Sequence, residues 1–110
     1  MTHRVVILEA AEDDIREIRR YIVSQFGQRA WGQTYSKLKQ AIRRLSDSPD
    51  SGSRVDELHD LNMTQYRQAI AGLNRVIYQV SENTVFVHVV CDTRMDLTSM
   101  LHRRLLRSDG

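Results

Sequence analysis

Apolar residues recur along this chain with two different periods, and the change of period divides it into a helical first half and a stranded second half. Arg4–Leu8 (RVVIL) is a short β-branched run that predicts a first strand buried on both faces. From Glu9 the period lengthens. Ala11, Ile15, Ile18, Ile22 and Phe26 follow at intervals of four, three, four and four, which places them on one stripe of a helix. Glu12, Asp13, Asp14 and Glu17 occupy its early turns, where acids suit the positive end of the helix dipole, and Gly27 stops it. A second stripe begins at once with Trp31, Thr34 or Tyr35, Leu38, Ala41 or Ile42, and Leu45. So short a connection makes the two helices an antiparallel hairpin, and Ser48-Pro49 ends the second because the residue before a proline disfavours helical torsions.

After an exposed loop over residues 47–61, with a short turn at DELHDL, the spacing predicts strands over residues 63–70, 73–80 and 84–91. Ala71-Gly72 and Ser81-Glu82-Asn83 connect them, and links this short allow only antiparallel neighbours. Leu97, Met100 or Leu101, and Leu105 then return at helical spacing, predicting a short terminal helix. The expected architecture is one α+β domain spanning residues 1–110: an N-terminal strand, an antiparallel helical hairpin packed on one face of a mainly antiparallel four-stranded sheet, and a short C-terminal helix.

Composition narrows the function classes. The longest apolar runs fall well short of a membrane span, and the opening MTHRVVILEAAEDD lacks the basic, apolar and small-residue regions of a signal peptide. With a single cysteine, Cys91, the reading is a cytoplasmic protein without an internal disulfide and without a membrane partner. Net charge is +2, yet residues 47–60 hold five acids against Arg54 alone, so the rest sums to +6 and can present a basic face. The histidines and Cys91 share no metal-ligand spacing, and the glycines form no phosphate loop, so no metal or cofactor is expected.

Several arginines are candidates for chemistry or recognition. Arg67, Arg75 and Arg94 lie in or beside the predicted strands, where a compact sheet gathers guanidinium groups; equally, Arg75 has Asp92 or Asp96 as a structural partner. Arg103, Arg104 and Arg107 line the polar side of the terminal helix and suit an anionic or acidic target. His88 alternates with Phe86 and Val90 on one strand face and reads first as a packed histidine, while His102 sits in the basic tail. On the hairpin Ile15, Ile18, Ile22, Trp31, Leu38 and Ile42 read first as core, and an outward groove in which Tyr21, Trp31 or Tyr35 stay partly exposed can receive a partner helix.

The order of these elements, with LEAAEDDIREIRRYI, SPDSG, YRQAI, NRVIYQV and VCDTRMDL in succession, is similar to the ParE branch of the RelE/ParE toxin superfamily of type II toxin–antitoxin modules, over about residues 4–105. The resemblance implies a small toxin neutralised by a cognate antitoxin of the ribbon-helix-helix type, whose C-terminal segment packs over the hairpin and along the sheet. It implies contact with operator DNA only through the antitoxin. ParE members poison DNA gyrase, whereas RelE members cut messenger RNA on the ribosome. RelE-like enzymes use second-strand lysines and a tyrosine or histidine near the C-terminus; here Ala69 and Met100 stand where the base lysine and the tyrosine would fall. An arginine stays protonated and cannot replace a base. The expectation is therefore a non-enzymatic gyrase inhibitor that binds its target through Arg75, Arg94, Arg103, Arg104 and Arg107 and its antitoxin through Tyr21, Trp31, Tyr35 and Leu38. The alternative is an endoribonuclease using Arg67, Arg75, Arg94 and His102.

Overall fold

The structure, a computed structural model, describes residues 2–108, without the side chains of residues 103 and 105–108. Strand β1 (Arg4–Ile7) leads into helix α1 (Glu9–Phe26) and helix α2 (Gln28–Asp47). Gly27 joins the two helices at φ 93°, a left-handed torsion that a glycine adopts without a Cβ penalty. Its N–H closes α1 onto the carbonyls of Ile22 and Val23, while its own carbonyl accepts the Trp31 N–H at the start of α2. The hairpin therefore turns on a single residue.

Beyond α2 come β2 (Ser53–Arg54), the one-turn helix α3 (Asp56–His59), β3 (Tyr66–Ala71), β4 (Asn74–Ser81), β5 (Thr84–Asp92) and α4 (Leu97–Ser108). The sheet has five strands in the order β1-β5-β4-β3-β2, with β1 parallel to β5 and every other pair antiparallel. The fifth strand, β2, lies inside the segment expected to be loop. Two polar residues carry no apolar alternation, so nothing local announces them; the strand exists because its surroundings hold the chain against β3. The Tyr78 hydroxyl accepts the Gly52 N–H and donates to the Pro49 carbonyl, and Arg67 donates to the carbonyls of Asp50 and Gly52.

Both faces of the sheet are covered. On one, Leu38, Ala41 and Leu45 of α2 and Ala11 of α1 pack on Val76, Tyr78, Val85, Val87 and Val90. On the other, Val55 and Leu58 around α3 and Leu97 of α4 pack on Ile77, Val89 and Cys91, with Met63, Met100 and Leu101 alongside. Val87 and Val90, three residues apart, share the hairpin side because β5 is bulged: Ile77 pairs with Val89 but Tyr78 with Val87, leaving His88 as an extra residue. The bulge separates His88 from Val90, which the simple alternation had placed on one face; Val90 belongs to the hairpin side.

The same place is a sheet edge. The bond from the Leu8 N–H to the Val87 carbonyl is the last that the β1 end makes with β5. Beyond it, the outward backbone groups of β5 need other partners. Asp14 of α1 accepts the Val90 N–H, and Arg104 of α4 donates to the His88 carbonyl and to Asp14. One buried ion pair thus closes the edge and ties the terminal helix to the first. Among the described residues no helix is long and apolar enough to cross a membrane.

Candidate interaction surfaces

Two depressions flank the helical hairpin. The first, of about 680 Å³, runs between the hairpin and β1 and is lined by Val5, Ile7, Ile15, Tyr35 and Ile42, with Arg16, Lys39, Arg43 and His3 on its rim. Its wall is also an open strand edge. The N–H groups of Arg4 and Leu8 point at β5, so by strand alternation those of Val5 and Ile7 point away from it. An apolar trough beside an unfilled row of backbone donors and acceptors suits a segment that brings apolar side chains and can add a strand.

The second depression, of about 630 Å³, lies on the other flank, where Ile18, Tyr21, Ile22 and Phe26 of α1 face Leu73, Arg94, Met95 and Met100. Tyr21, Phe26 and Leu73 are 58%, 68% and 70% exposed, and Tyr21 meets Phe26 edge to face at 6.3 Å. Its charges largely compensate one another, since Arg94 is bound to Asp92 and Asp14 to Arg104.

The expected partner residues divide between these places. Tyr35 opens onto the first groove, stacked on Trp31 at 5.2 Å and carrying the Lys39 ammonium 4.8 Å from its ring centre. Tyr21 opens onto the second, so the residues expected to meet one partner helix do not share a groove. Leu38, expected as a contact, is at the floor of the first groove with 0% of its surface exposed and packs in the hairpin core.

The arginines are redistributed as well. Arg75 is 6% exposed and belongs to neither Asp92 nor Asp96; it pairs with Glu57 of α3, at 2.6 Å and 3.1 Å to the two carboxylate oxygens, and donates also to Gln68 and the Met95 carbonyl. That overturns its expected target contact, because a buried guanidinium with these partners has no surface to offer. Glu57, held by Arg75, keeps its carboxyl below the ordinary range. Arg94 stands on the surface with Asp92 as its partner, and its hydrogen bonds bring the Asp92 carboxyl down to about 2. Arg104 is drawn inward to Asp14, a second correction to the arginine-faced tail; Arg103 and Arg107 lie outside the described side chains. Burial pushes the Asp14 carboxyl above its ordinary range despite the opposing pull of Arg104 and the Val90 N–H. Burial, with Arg104 nearby, lowers His88, whose Nε2 meets Gln79 at 3.1 Å and whose ring lies edge-on to Tyr66.

The four residues named for ribonuclease chemistry do not converge. Arg67 stands opposite Tyr78 and Arg75 opposite Ile70 in the β3–β4 ladder, positions of opposite parity and hence on opposite faces of the sheet. Arg94 belongs to the second depression, and His102 is exposed on α4. Ala69, where a base lysine would fall, packs toward the hairpin core, and Met100 toward the α3–α4 core. Among the described residues no cluster of three metal-binding side chains occurs. Sequence reasoning missed Asp14 and Glu57, the two acids that organise the arginines. Asp14 had a readable signal, an acid spaced three from Ala11 and four from Ile18 on the buried stripe. Glu57 had none, since its partner lies 18 residues away.

Comparison with known proteins gives a consistent assignment. Residues 5–97 match the family described as the ParE toxin of the type II toxin–antitoxin system parDE. No curated protein matches the sequence. Among solved structures, the chromosomal ParDE toxin–antitoxin system of P. aeruginosa superposes with a TM-score of 0.68 at 10% identity, over 83% of this chain and 96% of that one. The toxin–antitoxin complex RelBE2 of Mycobacterium tuberculosis superposes with a TM-score of 0.58 at 17% identity, over 84% of this chain and 99% of that one. At such identities both likenesses speak for the fold.

Proposed function

Because this chain belongs to the ParE toxin family of type II toxin–antitoxin systems, we propose that it acts by binding DNA gyrase and arresting replication, and that a cognate antitoxin neutralises it. The antitoxin, in this reading of the ribbon-helix-helix type and the sole contact with operator DNA sequence, fills the groove beside β1 and extends along the open β1 edge. Val5, Ile7, Ile15, Tyr35 and Ile42 supply the apolar wall, and Arg16, Lys39 and Arg43 meet acids on the incoming segment.

One observation carries the preference for binding over catalysis. Arg67, Arg75 and Arg94, the cations that a ribonuclease would collect around one phosphate, are held by separate partners: loop carbonyls, Glu57 and Asp92. Phosphodiester cleavage by a 2′-hydroxyl needs a proton acceptor beside such cations. The second depression, with Arg94 at its rim and Tyr21, Phe26 and Leu73 exposed, is the face this reading offers to gyrase.

A supercoiling assay with purified protein, gyrase and relaxed plasmid tests the proposal. Inhibition should rise with protein and disappear when the antitoxin is added. Full supercoiling at saturating protein would overturn the gyrase reading, and new 5′ ends inside reading frames after induction would replace it with the ribonuclease one.

A further inference from the structure

The positive charge of this protein is concentrated in one continuous segment. From Ile18 to Ser46 there are seven cations and no acid, while the remainder of the chain holds nine cations and fourteen acids, a net of −5. The seven are Arg19 and Arg20 on α1, and Arg29, Lys37, Lys39, Arg43 and Arg44 on α2. All are exposed, and none has an ion-pair partner among the described residues. By contrast Arg16, Arg54, Arg75, Arg94 and Arg104 each hold a carboxylate. The free positive charge of the described molecule therefore sits chiefly on the second half of α1 and on α2.

From this surface we infer that the outer face of the hairpin is a binding site for the phosphate backbone of a nucleic-acid duplex, which shares Arg43 with the rim of the first depression and takes none of its contacts from the second. Arg29 and Arg43 lie on the side of α2 opposite its buried Leu38, Ala41 and Leu45, Arg44 stands at the border of that side, and Arg20 lies opposite the buried stripe of α1. Fifteen residues separate Arg29 from Arg44, about 22 Å along the helix, so contacts at both ends span several phosphates. Gln33, Ser36 and Gln40, all exposed, fill the same face with neutral donors of the kind that bind phosphate and sugar oxygens. The face has no exposed apolar anchor, and protein interfaces take their affinity mainly from such anchors. That absence favours a polyanion over an acidic polypeptide.

The test is fluorescence anisotropy of the full chain with a labelled 20-base-pair duplex of arbitrary sequence, titrated at several salt concentrations. Four phosphate contacts, through Arg20, Arg29, Arg43 and Arg44, give a slope of log K against log salt of about −3.6. Affinity then falls about 150-fold between 50 and 200 mM salt. The triple variant Arg20→Gln, Arg29→Gln, Arg44→Gln retains one contact and should show a slope of about −0.9 and a fall of only about 3- to 4-fold. The corresponding triple lysine variant keeps the charge and should restore the original slope, which separates a charge effect from a folding defect. Absence of binding at 50 mM salt would overturn the inference, and so would a slope unchanged in the glutamine variant. Loss of binding on deletion of residues 101–110 alone would move the contact to the tail. Equal binding of polyglutamate of the same charge would make the partner an acidic polypeptide. None of these outcomes depends on gyrase, so the supercoiling result stands or falls separately.

Discussion

Arg75→Met distinguishes a structural arginine from a recognition arginine. The substitution keeps most of the aliphatic volume and removes a guanidinium that is 6% exposed and donates to both Glu57 oxygens, to Gln68 Oε1 and to the Met95 carbonyl. Removing one partner of a buried ion pair commonly costs about 3 to 5 kcal/mol, because the other charge is left without its counter-ion. The Glu57 side chain is about one-third exposed and can recover part of its hydration, which places the expected loss at the low end, about 3 kcal/mol. For a domain of this size that is a fall in Tm of about 12 °C. Glu57→Leu leaves the more deeply buried Arg75 without its counter-ion and should cost at least as much, about 3 kcal/mol or more. Replacing both, Arg75→Met with Glu57→Leu, removes the charge pair together and should recover at least half of the loss, since apolar replacements of buried pairs are often neutral. Urea unfolding of the four proteins, followed by Trp31 fluorescence, measures the cycle. A loss below about 1 kcal/mol for Arg75→Met, together with weakened target binding, would refute the structural assignment and return Arg75 to the recognition surface.

Two further predictions rest on other contacts. Gly52→Ala should destabilise by about 2 kcal/mol or more, because a Cβ there would lie 2.3 Å from the Tyr78 hydroxyl and 2.7 Å from the Gln68 carbonyl; a thermal melt unchanged within 2 °C would show that β2 is not held as described. Acid should weaken the fold in a definite window. Glu57 and Asp92 have folded-state values below their ordinary 4.5 and 3.8, so their stabilisation is complete above about pH 5 and is lost as pH falls toward 2. Asp14, raised above 3.8, has the opposite sign and takes up its proton first, relieving its burial. Urea midpoints between pH 6 and 2.5 should therefore fall less steeply in Asp92→Asn and more steeply in Asp14→Asn than in the parent, and the reverse order would show that the signs are wrong.

Local physics was legible in the chain before any coordinates. The four-three spacing of Ala11, Ile15, Ile18 and Ile22, the glycine at 27 and the β-branched runs about Val76 and Val87 each specify an element through interactions among near neighbours, so helices, hairpin and meander follow from them. The run of seven cations without an acid is likewise a property of the sequence alone. What tertiary structure alone decided is which charges remain free. Glu57 meets Arg75 across 18 residues, Asp14 meets Arg104 across 90, and β1 ends short of the β5 edge that this second pair closes. Each depends on how strands pair and where β1 ends. Partners so distant leave no periodic trace in the chain, because screening keeps the force between them small until the sheet has brought them within about 10 Å.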